Sequence, residues 1–454
     1  MENQNNRKIA LEGTGGLAPL HFAPQLSSLL FSPSASPPPV SQLKEKLEQI
    51  KSKSGVQAAY NALLRTQAAL GVRKPTLAIY DHTGHIIGGG QKYGFTVAHA
   101  LQDMFDITLI LNKKITHRDI LDWYHLDLSA CTIKIIEIPF FDRFSSIHLD
   151  PVHANKRTGN PFDIISRESG NYDFFINNSM NEKVFPLANV SALICHFPER
   201  RPKDYFYADC YTYIIYNSRY TAHWIEQKWK FSPHRHIYPP VDMAPAQDKE
   251  KPNKENMILS VARFETGGSK KQLDMVYTFL KLNRRFPGLF NQWRLVLAGG
   301  SPDENDYLNT IKKVIEKSGA GNIQLKLNIT GDELKSLYHR STIFWHLCGL
   351  DQSDPALVEH FGMTIVEAMQ NRTVPIVFDG GGQREIVEHG RSGFRVSSTA
   401  ELMSFTLKLL RDPQLREELG NNAVERSKAF SREVFEKKTR DFFSAELQKY
   451  KSIE

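Results

Sequence analysis

Residues 354–396 read DPALVEHFGMTIVEAMQNRTVPIVFDGGGQREIVEHGRSGFRV. Glu359 and Glu367 frame the start of this stretch with seven residues between them. His360-Phe361-Gly362 has the composition of a turn, and Met363, Val366 and Met369 fall at helical spacing after it. Thr373 to Phe378 is an apolar run long enough for a strand buried on both faces. Gly380-Gly381-Gly382 follows, and Gln383 to Glu388 would open another helix. Loop, helix, strand, glycine loop and helix in succession make the unit from which a parallel α/β sheet is built.

The layout suits a phosphorylated ligand. A helix start offers unpaired N–H groups and the positive end of the helix dipole, where a phosphate is favoured. Gly362 lets the backbone approach closely. A carboxylate such as Glu367 can accept hydrogen bonds from two neighbouring ribose hydroxyls, as in dinucleotide sites. Either glutamate taken alone reads more simply as a solvated helix residue. The whole string, with the GG-x-x-E of Gly381 to Glu385, is more specific.

On these residues the chain resembles the retaining nucleotide-sugar glycosyltransferases of family four, which have the two-Rossmann (GT-B) fold. The resemblance extends over most of 74–430 and is sharpest over 354–396. It implies an α/β protein with two Rossmann-like parallel-sheet domains facing a cleft. It also implies a nucleotide-diphosphate sugar as donor, UDP- or GDP-linked, with no further cofactor required. The site then contains Phe361, Gly362, Met363, Thr364 and Glu367 around the nucleotide, and Glu359 near the reacting centre.

Composition agrees with a protein of this kind. A chain of 454 residues has room for two or three domains, and 41% hydrophobic with 24% charged residues is globular composition. The net charge of +7 suits anionic sugar nucleotides or an acidic membrane face. No RRM, KH or zinc-finger pattern supports a nucleic-acid partner. Cys131, Cys195, Cys210 and Cys348 form no C-x-x-C pair and read as buried thiols of a reducing, cytoplasmic compartment. No run reaches the length of a membrane span, so membrane contact would be peripheral, on the cytoplasmic face. Residues 17–31 are broken by Pro19, His21, Pro24 and Gln25 and do not read as a signal peptide. Nothing in the sequence sets an oligomeric state.

Outward from the central stretch, five segments are expected. Residues 1–73 are an extension, partly disordered around the low-complexity SPSASPPP of 32–39 and partly helical over 43–70. Residues 74–240 alternate strands with helices as a first Rossmann-like domain on the acceptor side, and the polar, proline-containing 241–256 is a linker. Residues 257–430 are the donor domain. Residues 431–454 are a helix that in the two-Rossmann transferases often crosses back to the first domain.

Four further positions complete the expected site. Gly88-Gly89-Gly90 lies between the first strand and a helix expected over 93–105, where a glycine loop admits a phosphate or sugar; GGGQKYG lacks the G-x-G-x-x-G register of a nicotinamide dehydrogenase. The resemblance places Gly89 and Gly90 at the cleft. His196 ends the apolar run 192–195 at the carboxyl edge of the sheet, where open α/β proteins bind ligands. A lone histidine is often structural, but the family carries one at a similar strand end near the donor sugar. Arg263 follows the strand 257–262, and Lys270 and Lys271 precede a helix. Arginine and lysine so placed can neutralise a diphosphate, although solvated surface cations are common. The family's arginine and lysine contact the leaving diphosphate. Thr266-Gly267-Gly268 lengthens this loop, and counting back from Phe279 favours Lys270 over Lys271. His346 and Cys348 have no partner pair at metal-ligand spacing, and no metal is expected.

The expected activity is therefore transfer of a sugar to a saccharide, lipid-linked or protein acceptor with retention of configuration. His196, Arg263, Lys270 and Glu359 would be catalytic, and Gly89, Gly90, Lys271, Phe361, Gly362, Met363, Thr364 and Glu367 would bind the donor. The alternatives are a degenerate, scaffold-like subunit or another sugar-nucleotide enzyme such as an epimerase.

Overall fold

The structure, a computed structural model, describes residues 56–138, 160, 162–179, 183–198, 206–242, 254–301 and 305–452. The stretch at 32–39 and the helical part of 43–55 lie outside the described residues.

Two parallel sheets organise the chain. The first holds β1 (Thr76–Asp81), β2 (Asp106–Leu111), β3 (Thr132–Ile135), β4 (Phe174–Asn177), β5 (Val190–Cys195), β6 (Tyr213–Tyr216) and β7 (Arg235–His236) in the order β3-β2-β1-β4-β5-β6-β7. The second holds β8 (Met257–Val261), β9 (Arg294–Gly299), β10 (Ile323–Leu327), β11 (Ile343–His346), β12 (Val374–Phe378) and β13 (Phe394–Val396) in the order β10-β9-β8-β11-β12-β13. Each order reverses once, between β1 and β4 and between β8 and β11. Those are the switch points where loops part and a ligand crevice opens at the carboxyl ends of the strands. The central strands are apolar on both faces: Met257–Val261 is buried along its whole length, as is Phe174–Asn177. Helices must therefore cover both sides.

The helices between and around the strands are α1 (Val56–Ala69), α2 (Gly89–Leu101), α3 (His117–Tyr124), α4 (Asp163–Ser169), α5 (Arg219–Trp229), α6 (Gln272–Arg285), α7 (Pro287–Phe290), α8 (Asp306–Ser318), α9 (Gly331–Arg340), α10 (Met363–Gln370) and α11 (Gln383–Ile386). Three more close the chain: α12 (Thr399–Arg411), α13 (Pro413–Ser427) and α14 (Arg432–Lys451). The helix expected over 93–105 starts at Gly89 instead, and ends at Leu101. Gly88 is its N-cap, so the triple glycine is the first turn of a helix and not a loop.

The last helix, α14, lies on the first domain. The Phe435 ring meets Tyr93 edge-on at 4.8 Å. Arg440 grips both oxygens of Asp103 at 2.6 and 2.7 Å. Tyr450 donates to the buried Asp173 at 2.5 Å, where Arg73 also pairs. At the domain junction, Val241 bridges to Ser431. Cys131, Cys195 and Cys348 are buried, but Cys210 is half-buried.

Candidate active site

Glu359 is the hub of the second domain's crevice. Its Oε2 accepts from Lys270 Nζ at 3.0 Å and from His346 Nε2 at 3.0 Å. Lys270 comes from the turn before α6, and His346 is the last residue of β11, beside the switch point. Burial opposes the Glu359 charge, but Lys270 and His346 outweigh it and hold the carboxyl well below the usual carboxylate range. Burial likewise opposes the Lys270 charge; Glu359, with Cys348 and Glu265, overcomes it and holds the ammonium above its ordinary value. The two groups are therefore a charged pair at neutral pH. The Cys348 sulfur lies 3.5 Å from Lys270 Nζ, and burial pushes that thiol up to about 12, so it is a neutral neighbour.

Immediately after Glu359 the chain turns at Gly362, which caps α10 with φ 112° and no side-chain hydrogen bond. The first N–H groups of α10, those of Met363 and Thr364, belong to the unpaired turn at a helix start. One turn on, Glu367 accepts from Tyr338 at 2.8 Å. Gln383, fully buried, donates to the Cys348 carbonyl at 2.8 Å and so ties α11 to the loop under Lys270.

The first domain faces this set with the carboxyl ends of β1, β4 and β5. Asn178 follows β4 and uses its amide N–H groups on Asp81 Oδ2 at 2.7 Å and on the Gly90 carbonyl at 2.9 Å. Both partners only accept, so the Asn178 oxygen must face His196 Nε2, 3.2 Å away. His196 then carries its proton on Nε2 and keeps Nδ1 as an acceptor. Burial, with His360 adding repulsion, pushes His196 down to about 4, so it is neutral at physiological pH. Opposite, a Cβ on Gly89 would lie 2.8 Å from Met363 Sδ. The two helix N-termini therefore meet across the crevice, and glycine permits the approach.

The domains are locked by two contacts beside the site. His360 stacks on Phe197 with ring centroids 4.0 Å apart at 6°. The Glu385 carboxylate accepts from the Arg219 and Tyr220 N–H groups at 3.0 and 2.9 Å and from Tyr238 at 2.9 Å. It thus caps α5 from the other domain, beside the Ser218 cap.

The stacked histidine makes stability fall in acid. Burial pushes His360 down from 6.5 to about 4, against a partial opposing pull from Glu359 and with repulsion from Lys270 and Lys228. The unfolded chain binds the proton first, so the folded state is fully favoured above about 6.5 and loses ground as the pH falls toward about 4. His360→Phe keeps an aromatic face for Phe197 and should flatten the pH dependence of the unfolding midpoint over that window. An unchanged slope in the variant would show that His360 does not titrate with unfolding.

The structure thus brings Lys270, Glu359, Gly362, Met363, Thr364 and Glu367 to one wall, with Gly89, Gly90 and His196 opposite. Phe361 lies beneath that wall, 3% exposed, against Tyr238 and Phe430. Arg263 is not drawn in: its side chain is 69% exposed and pairs with Glu265 at 3.1 Å. Lys271 adopts a left-handed backbone, φ 61°, as the N-cap of α6, and Lys270 rather than Lys271 reaches Glu359. His346 also joins the site; in the sequence only its place at the end of an apolar strand marks it. Among the described residues no cluster of metal-ligating side chains occurs. Asn178 falls in no motif, although it also follows an apolar strand; Glu385 closes the GG-x-x-E string, but nothing local marks it as a cap for α5.

Residues 244–426 match the family described as Glycosyl transferases group 1. The chain has the GT-B fold. Over 82% of its length it superposes on all of the Anabaena protein HepE, solved in complex with UDP and glucose, with TM-score 0.62 and 16% identity. It superposes similarly on sucrose-phosphate synthase from Thermosynechococcus elongatus, with TM-score 0.62 and 15% identity over 83% of this chain and 100% of that one. In sequence, the GT-B chain is 29% identical over 243 residues to the GDP-Man:Man(3)GlcNAc(2)-PP-Dol alpha-1,2-mannosyltransferase of Mus musculus, covering 50% of this chain and 47% of that protein. It is 27% identical over 281 residues to the alpha-1,3/1,6-mannosyltransferase of Homo sapiens, covering 53% of this chain and 64% of that protein. The chain spans about half the length of the first of these relatives. Among the described residues no helix is long and apolar enough to cross a membrane.

Proposed function

We propose that this GT-B protein is a retaining glycosyltransferase that transfers mannose from GDP-mannose to a lipid-linked saccharide. The observation that carries the reading is the charged Lys270–Glu359 pair, with His346 on the same carboxylate oxygen, at the N-terminus of α10, facing the N-terminus of α2 across the crevice. The mannosyltransferase relatives, whose names specify GDP-Man, a PP-Dol acceptor and alpha linkages, support the donor, the acceptor class and retention. The net charge of +7 supports peripheral work at an anionic, cytoplasmic membrane face.

In this reading the anomeric C–O bond breaks with its electrons leaving on the diphosphate, an acceptor hydroxyl oxygen bonds to the same carbon on the same face, and the hydroxyl proton passes to the departing diphosphate oxygen. Lys270 and the Met363 and Thr364 N–H groups stabilise that charge, and Arg263 exchanges Glu265 for a phosphate oxygen. Glu359, kept anionic, accepts hydrogen bonds from sugar hydroxyls beside the electron-poor anomeric carbon. Glu367 takes the ribose. Neutral His196 accepts a hydroxyl hydrogen at Nδ1 from the sugar or the acceptor. No cofactor or metal enters these steps.

Thermal unfolding with GDP, UDP, ADP, GDP-mannose and NAD tests the reading. A ligand present at 100 times its Kd adds about 2.7 kcal/mol to the folded state. Stabilisation by GDP and GDP-mannose is expected, followed by mannose transfer to a lipid-linked acceptor; stabilisation by none of the five, or by NAD alone, would sink it. Glu367→Ala should raise the donor KM with little change in kcat. A normal KM with a lost kcat would contradict the ribose assignment.

A further inference from the structure

The helices that meet at Gly89 and Met363 each carry a charged residue one turn further on. Lys92 is three residues beyond Gly89 on α2, and Glu367 is four beyond Met363 on α10. Both spacings stay on one helix face. A cation of the first domain and the carboxylate expected to hold the ribose thus each stand one turn from the contact of the two helix starts. The Nζ of the half-buried Lys92 makes one long contact, to the Asp242 carbonyl at 3.5 Å, which leaves the ammonium free of a close ion pair among the described residues. Burial lowers its pKa, Glu367 and then Asp242 act to raise it, and Arg432 and Lys335 repel it from the other sides. An ammonium among those neighbours is stable only toward its carboxylates.

We propose that Lys92 is a positioning residue of the donor site, supplied by the first domain, that holds the Glu367 carboxylate for the ribose of a nucleoside diphosphate. The inference rests on the donor-site reading above. Tyr338 fixes one oxygen of Glu367 from within the donor domain. Lys92 fixes its charge from across the crevice, so the nucleotide is bound fully only when the two domains are together. Lysine suits this role, because a point charge on a flexible stem can follow small domain movements.

Calorimetric titration with GDP and with UDP decides it, using the full chain and the variants Lys92→Met, Lys92→Arg, Glu367→Gln and Lys92→Met/Glu367→Gln. Lys92→Met should weaken binding of the preferred nucleotide about tenfold, and Lys92→Arg should recover most of the loss. In the Glu367→Gln background, Lys92→Met should add nothing. Losses that multiply in the double variant, or a Lys92→Met protein that binds as the parent does, would overturn the inference and leave the donor site standing. A parent protein that binds neither nucleotide would overturn both. Chemical unfolding of the same five proteins without nucleotide guards against a folding artefact. Lys92→Met should unfold at the parent's denaturant midpoint within a small margin, whereas collapse of both Lys92 variants would mark a purely structural residue and overturn the role.

Discussion

Lys270→Met is expected to lower kcat by roughly 100-fold or more, the loss typical of a group that stabilises charge only in the transition state. It should also destabilise the fold. Lys270 and Glu359 are 19% and 18% exposed at their side chains, and removing the lysine leaves an anionic carboxylate with only His346. Breaking such a pair costs about 3 kcal/mol. The two losses can be separated. Lys270→Met/Glu359→Gln removes both charges and should recover much of the stability while leaving turnover low. Arg263→Ala provides the contrast: its exposed side chain pairs with Glu265 at the surface, so stability should change by less than about 0.5 kcal/mol. Its kcat should still fall roughly 100-fold if the guanidinium turns to the diphosphate. Initial rates with the donor selected by unfolding, alongside urea midpoints, give every term. Near-normal turnover in Lys270→Met would remove the lysine from the mechanism.

The fold was readable because each domain repeats one signal. Apolar runs such as 257–262, 293–298 and 373–378 are too short for helices that pack and too continuous for half-exposed strands, and periodic segments separate them. The strand 394–396 and the helix 117–124 were missed. The first is three residues long, and the second is polar enough that its capping box at Thr116 and Asp119 was its clearest mark. The start of α2 was misplaced because glycine reads as a loop wherever it clusters. Here Gly89 and Gly90 are helical; a Cβ on Gly89 would crowd Met363 at 2.8 Å, whereas one on Gly90 would meet His196 at an ordinary 3.5 Å, and such tertiary packing leaves no local trace. The same limit applies to the site. Glu359 and Glu367 lie in one motif and could be found together. His346, Asn178 and Glu385 act through partners 13, 18 and 166 positions away, and only the folded chain joins them.

Gly382→Ala should impair the site without touching a single functional side chain. A Cβ there would stand 2.3 Å from the His360 carbonyl oxygen and 2.5 Å from Phe361 Cα. Both are backbone atoms, so no rotamer change relieves the clash. Gly382 also donates its N–H to the Glu359 carbonyl at 2.9 Å. The added methyl must therefore push residues 359–361 away from α11. That segment carries the Glu359 carboxylate, the His360 stack on Phe197 and the approach to the α10 N-terminus. Overpacking of this kind costs about 1–3 kcal/mol. Shifting a reacting group by about 1 Å can cost roughly 100-fold in rate. Loss of both stability and kcat is expected, with a smaller rise in donor KM, because Glu367 is anchored separately through Tyr338. Gly288→Ala is the matched control, since a Cβ there meets nothing within 4 Å. If Gly382→Ala matched that control in urea midpoint and turnover, the third glycine would not be what holds the Glu359 loop, and the close seat of α11 against it would be incidental to the chemistry.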